Sequence, residues 1–195
     1  MKKKLILVGA PPACGKNYVS DLICKSIKNV AYFDKDDLTD LRLCAFKVSG
    51  QEVDTDSEFY VKNIRPYEYS TLLNMAFSVL RYENMVLINA PFIQEVKDER
   101  FMFELKKRAE KYGAELILIW VTASEKVCYE RMKLRNSDRD KMKLSDWDNY
   151  VKTIDYSLPI TLEEKGLVNK IIHFDNENEL TQKTSIEKTL KILGE

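Results

Sequence analysis

A three-layer α/β/α fold around a parallel sheet of about five strands is the class this sequence predicts, and three observations predict it. Short apolar runs alternate with stretches of helical spacing, a glycine-framed loop joins the first run to a helix, and 45% hydrophobic with 32% charged residues is the balance of a folded globular chain. Strands are read at residues 5–8, 30–33, 85–88, 116–121 and 170–174. A first helix is read over 17–27. Tyr60, Ile64, Tyr67, Thr71, Met75 and Val79 follow the spacing of one long helix, and Phe101, Leu105, Ala109 and Tyr112 that of another, with Gly113 as its stop. Ser145, followed three residues later by Asp148, reads as a capping box opening a further helix. Strands separated by helices imply parallel pairing, because parallel neighbours need a crossover connection and a helix is the usual one.

At 195 residues the chain is long enough to bury one continuous core, so a single domain over 1–195 is expected. Thirty-one basic residues cancel thirty-one acidic ones, so no overall field draws the molecule to nucleic acid or to an anionic membrane; neither is an expected partner. Cys14, Cys24, Cys44 and Cys128 have neither zinc spacing nor a Cys-x-x-Cys pair, which suits reduced thiols in a cytoplasmic protein. The lysines at 2–4 precede an apolar run that Pro11 and Pro12 interrupt, so export is not expected. No apolar run reaches transmembrane length.

Gly9-Ala10-Pro11-Pro12-Ala13-Cys14-Gly15-Lys16-Asn17 has the pattern Gly-x-x-x-x-Gly-Lys directly after a strand and before a helix. In that context backbone N–H groups turn inward, the helix N-terminus adds its partial positive charge, and a lysine reaches the β- and γ-phosphates of a nucleotide. Gly9, Ala13, Cys14, Gly15, Lys16 and Asn17 are therefore the expected nucleotide-binding residues. The residue after the lysine is usually Ser or Thr, whose hydroxyl ligates Mg²⁺; here it is Asn17, whose amide oxygen is the available substitute. Cys14 sits near a helix N-terminus, where a thiol pKa can fall, but a small space-filling role is the simpler reading.

Phe33-Asp34-Lys35-Asp36-Asp37-Leu38 follows the second strand, so its acids project from the carboxyl edge of the sheet, beside the phosphate loop. Phosphoryl transfer needs a group that orients or deprotonates the acceptor hydroxyl. Asp36 is assigned that role, Asp34 joins Asn17 as a Mg²⁺ ligand, and Asp34 or Asp37 can equally cap the next helix. Asn89-Ala90-Pro91-Phe92 ends the third strand, where Asn89 is either a substrate-side group or part of a strand-ending turn.

The loop together with Asp-Lys-Asp-Asp resembles the P-loop kinases that include bacteriophage polynucleotide kinase, zeta toxins, chloramphenicol phosphotransferase, and gluconate and shikimate kinases. The resemblance covers most of the chain in element order and implies a P-loop NTPase fold with a small arginine-bearing lid. In the polynucleotide kinase family the first of two adjacent aspartates after the second strand is the base, and Asp36 matches that position. Related kinases often read Asp-Ala-Pro-Phe where this chain has Asn89-Ala90-Pro91-Phe92, so an acid is replaced by an amide.

Arg131, Arg135 and Arg139 recur every four residues and would share one side of a continuous helix. They are read as a lid over roughly 131–145, with Arg131 binding nucleotide and Arg135 and Arg139 neutralising the transferring phosphoryl; a solvated charged face is the alternative. Asp54-Thr55-Asp56-Ser57-Glu58 reads as a helix cap rather than a calcium loop, because Phe59 stands where that loop needs glycine. His173, the only histidine, is assigned a structural or solvated role. The resulting expectation is an ATP- and Mg²⁺-dependent kinase acting on a hydroxyl-bearing small-molecule acceptor, with catalytic Lys16, Asp36, Arg135 and Arg139 and an acceptor segment over roughly 38–82. A P-loop regulatory protein that hydrolyses ATP or GTP without an acceptor is the alternative.

Overall fold

The computed structural model describes residues 2–194, and the side chains of Asp138 and Arg139 lie outside the described set. In chain order the elements are β1 (Lys3–Gly9), α1 (Lys16–Ser26), β2 (Ala31–Asp34), a 3₁₀ turn (Lys35–Leu38), α2 (Thr39–Ser49), α3 (Glu58–Asn63), α4 (Arg65–Val79) and β3 (Met85–Asn89). A second short 3₁₀ turn, Glu95–Lys97, leads into α5 (Glu99–Lys111), β4 (Ala114–Thr122) and α6 (Glu125–Arg135). The chain ends with α7 (Asp138–Ser145), α8 (Trp147–Lys152), α9 (Thr161–Glu164), β5 (Lys170–Asp175) and α10 (Glu179–Leu193). No described helix is long and apolar enough to cross a membrane.

The five strands form one parallel sheet in the order β2-β3-β1-β4-β5. Alternate residues of each central strand feed opposite layers, as the two-residue period of a strand requires. Leu5, Leu7, Val86, Ile88, Leu116 and Leu118 pack beneath α4 and α5. Ile6, Val8, Leu87, Ile117, Ile119 and Val121 pack against Val19 and Ile23 of α1, Cys128 of α6 and Leu193 of α10. Both faces of these strands are buried, which is why they read as unbroken apolar runs rather than as alternating ones.

The chain leaves β1 toward β2 on one side of the sheet and leaves β3 toward β4 on the other, so the connections diverge between β1 and β3. Such a divergence opens a crevice at the carboxyl ends of the strands. Val8 and Asp34 both stand in register with Asn89, so the phosphate loop, the aspartate turn and the end of β3 meet there.

Three sequence expectations are corrected. The spacing from Tyr60 to Val79 is not one helix: Ile64 (φ −120°, ψ −53°) breaks it, and Pro66, which lacks an N–H, opens α4 instead of continuing α3. Ser145 caps nothing, because it ends α7 with its hydroxyl donating back to the Met142 carbonyl, and α8 begins after Asp146. Arg131, Arg135 and Arg139 do not share a continuous helix: Asn136, in the left-handed region at φ +46°, ends α6, and Arg139 belongs to α7. Elsewhere local signals hold. Gly113 (φ +68°) closes α5, and Ser57 caps α3 by accepting from the Tyr60 N–H.

Candidate active site

The phosphate loop is shaped by its small residues. Ala13 and Gly15, on either side of Cys14, both have positive φ, +63° and +89°. A Cβ at Gly9 would stand 2.8 Å from the Trp120 ring and 3.2 Å from the Pro91 carbonyl oxygen, so only glycine lets the strand end lie against both. A Cβ at Gly15 would run into the Asn176 amide. The far side of the loop is anchored through the Cys14 carbonyl, which accepts from Arg131 Nη1 at 3.2 Å and from Asn176 Nδ2 at 2.7 Å. Arg131 also donates to the Asn176 carbonyl at 2.7 Å.

The Cys14 side chain is fully buried, its sulfur 3.7 Å from that of Cys128. The hydrogen bond with Cys128 and burial both push the Cys14 thiol up, the reverse of an activated thiol, so the space-filling reading of this residue holds.

One side-chain network ties the loop to the acidic turn. Lys16 Nζ donates to Asn17 Oδ1 at 2.7 Å and to Asn89 Oδ1 at 2.9 Å, and the buried Ser20 hydroxyl lies 3.2 Å from the same Asn89 oxygen. Asn89 Nδ2 faces Asp34 Oδ2 at 2.6 Å, Tyr32 Oη at 3.0 Å and Asn17 Oδ1 at 3.1 Å. Asp34 Oδ2 accepts from Tyr32 Oη at 2.7 Å, and Asp34 Oδ1 accepts from the Asp36 N–H at 2.9 Å. Burial pushes the Asp34 carboxyl up, but the bonds from Tyr32, the Asp36 N–H and Asn89, with the Lys16 charge, outweigh it and hold the group below its ordinary value. Asp34 is therefore an ionised acceptor.

This geometry explains the amide at position 89. The residue must accept from an ammonium on one side and donate to a carboxylate on the other, which asparagine does and aspartate does not. An N89D variant would set two carboxylates about 2.6 Å apart, too close for both to ionise. The expected result is one carboxyl of the pair still protonated near neutral pH, with nucleotide affinity that changes as that proton is lost. Carboxyl chemical shifts followed through a pH titration, with affinity measured in parallel, check this.

The predicted site residues are distributed as follows. Gly9, Ala13, Cys14, Gly15, Lys16 and Asn17 form the loop, Arg131 braces it, and Asp34 joins the Lys16 network. Asp36 is exposed on the 3₁₀ turn one helical step beyond Asp34. Arg135 is engaged elsewhere: its Nε and Nη2 donate to Asp140 Oδ2 at 2.8 and 2.7 Å, and Asp140 is 2% exposed. The Arg139 side chain lies outside the described residues.

Sequence reading missed three contributors. Tyr32 lies two residues before Asp34, on the same strand face, and that spacing was the available signal. Asn176 directly follows β5, at the same edge of the sheet as Asn89. Ser20 lies one helical turn after Lys16, where a serine gives no sign of contacting the next strand.

No family model matches the chain, and no curated protein sequence matches it. Solved structures do. A proposed kinase of Chloroflexus aurantiacus j-10-fl aligns at 19% identity and TM-score 0.64, over 99% of this chain and 97% of that one. A sugar kinase of Janibacter sp. HTCC2649 aligns at 11% identity and TM-score 0.60, over 98% and 94%. A gluconokinase of Sinorhizobium meliloti 1021 aligns at 16% identity and TM-score 0.52, over 97% and 95%. At these identities the shared property is the fold.

Proposed function

From this P-loop kinase fold and the residues at its phosphate loop, we propose that the protein transfers the γ-phosphoryl group of ATP to a hydroxyl of a small-molecule acceptor. The observation that carries the reading is the continuous path of side-chain hydrogen bonds from Lys16 through Asn89 to Asp34, which couples the phosphate-binding lysine to the acidic turn bearing Asp36.

In this reading the loop amides and Lys16 hold the β- and γ-phosphates, and Lys16 offsets the charge that develops on the transferring group. The exposed Asp36 carboxylate accepts the hydroxyl proton of the acceptor. The segment 131–145 serves as a lid over a single domain: Arg131 is set against the loop, Arg135 exchanges Asp140 for phosphate when the lid closes, and Arg139 is assigned the neutralisation of the transferring phosphoryl alongside it.

Mg²⁺, when bound with the nucleotide, would supply neutralisation of phosphate charge, with Asp34 and Asn17 the residues that would hold it. Among the described residues no group of three or more His, Cys, Asp or Glu side chains gathers to hold a metal. Mg²⁺ generally keeps several waters and takes one or two carboxylates alongside phosphate oxygens. Asp34, ionised and acceptor-only, suits it. Asn17 suits it only by exchange, since its Oδ1 already accepts from Lys16 and Asn89.

The test is a metabolite screen for ATP-dependent mass gain of one phosphoryl group. With an acceptor in hand, Asp36→Asn is expected to lower turnover by about 10²-fold while leaving ATP affinity close to wild type, because the residue acts on the acceptor proton. Full turnover by that variant would remove Asp36 from the base role. The amides at 17 and 89, where such sites carry a hydroxyl and an acid, favour a second reading: a nucleotide-hydrolysing regulator, whose products across the whole screen would be ADP and phosphate alone.

A further inference from the structure

Beside the aspartate turn, a pocket of about 270 Å³ opens between α2 and the start of α4, near the small end of the range for small-molecule sites. It begins at Leu38, the last residue of the 3₁₀ turn that carries Asp36. Its walls are Leu38, Leu41, Ala45, Ile64 and Tyr67. Leu41 and Tyr67 line it and are 68% and 70% exposed, so both leave apolar surface in contact with solvent.

The charged groups in the lining are already matched. Arg42 Nη1 donates to Glu68 Oε1 at 2.6 Å, and its Nη2 donates to Thr39 Oγ1 at 2.8 Å. Glu68 Oε2 in turn accepts from Tyr60 Oη at 2.6 Å and from Lys35 Nζ at 3.3 Å. Thr39 Oγ1 donates to the Asp36 carbonyl at 2.6 Å, which ties this buried network to the proposed base. The charged side chains in the lining itself are one cation, Arg42, and one carboxylate, Glu68, and they pair with each other. An acidic acceptor would have to displace Glu68 to reach Arg42. An apolar body would instead cover Leu41 and Tyr67.

We propose that the acceptor is a hydroxyl compound with an apolar body and no acidic group, seated in this pocket with its hydroxyl toward Asp36. The inference rests on the kinase reading above and narrows its substrate class.

The experiment is ligand-observed saturation-transfer NMR with 2-phenylethanol and with gluconate, on the wild type and on Ala45→Phe, followed by incubation of each mixture with ATP. Ala45 is exposed and lies outside the phosphate loop, so Ala45→Phe fills the pocket while ATP affinity and the melting temperature stay near wild type. Tyr67→Ala, which removes one wall, is a second variant should the first fail to fold. The expected result is 2-phenylethanol binding that falls at least about tenfold in both variants, with gluconate silent throughout. Gluconate binding, or alcohol binding unchanged by both variants, overturns the proposal. Failure of the kinase reading looks different: the alcohol binds and responds to both variants, supporting the pocket assignment, yet ATP yields only ADP and phosphate.

Discussion

Lys16→Ala is expected to lower phosphoryl transfer by about 10³-fold and to weaken ATP binding, with little effect on folding. The effect is large because, in the proposed mechanism, Lys16 is the charge that holds the β- and γ-phosphates, and a positioned charge in a partly dehydrated site has no substitute in solvent. Lys16 is also the cation whose ammonium bonds to both Asn17 and Asn89. Its removal leaves Asn89 Oδ1 to the Ser20 hydroxyl and takes away one of the influences that keep Asp34 ionised. Isothermal titration with ATP and single-turnover transfer measure the two effects separately. Retained ATP affinity in the variant would mean that the loop amides, not the lysine, dominate phosphate binding.

Glu68→Ala is expected to cost about 3–5 kcal/mol of stability, the range for breaking a buried ion pair by removing one partner. Glu68 is the shared counter-charge of Lys35 and Arg42, and the side chains of all three are at most 10% exposed. Burial already pushes the Lys35 ammonium below its usual value, and the Glu68 charge opposes that shift. Without Glu68, Lys35 and Arg42 lose their shared ion-pair partner and the Tyr60 hydroxyl loses its carboxylate acceptor. At about 2–4 °C per kcal/mol for a chain of this size, the melting temperature should fall by roughly 10 °C. Thermal melts of wild type, Glu68→Ala and Glu68→Gln test this, with the glutamine variant expected between the other two because it keeps the shape and an acceptor but not the charge. A melt of Glu68→Ala within about 1 °C of wild type would show that water reaches the cluster.

Both results bear on how much of the molecule could be read before its structure was known. The strands were legible because buried parallel strands are apolar on both faces, and Leu5, Ile6, Leu7 and Val8 are all fully buried. The phosphate loop was legible because its shape depends on residues close in sequence, with glycines where backbone or ring approaches too near for a Cβ. The place of Asp34 at the sheet edge beside the loop was legible from its position after a strand. The role of Asn89 was not, since it depends on two partners, Lys16 and Asp34, that are 73 and 55 residues away. Nor was the engagement of Arg135: spacing alone placed it on a lid, whereas a break at Asn136 turns the following helix so that Asp140 meets it.

The phosphate loop, the parallel α/β class and the acidic turn were determined by the sequence itself, because each follows from local backbone preference or from the period of burial along a few residues. Tertiary structure alone decided which groups meet: Asn89 bridging lysine to carboxylate at the crevice between β1 and β3, Arg131 bracing the loop from the far side, and Glu68 pairing with Lys35 and Arg42 beside the pocket between α2 and α4. Those contacts depend on the order of strands in the sheet, and no local preference encodes the distance between residues that folding brings together.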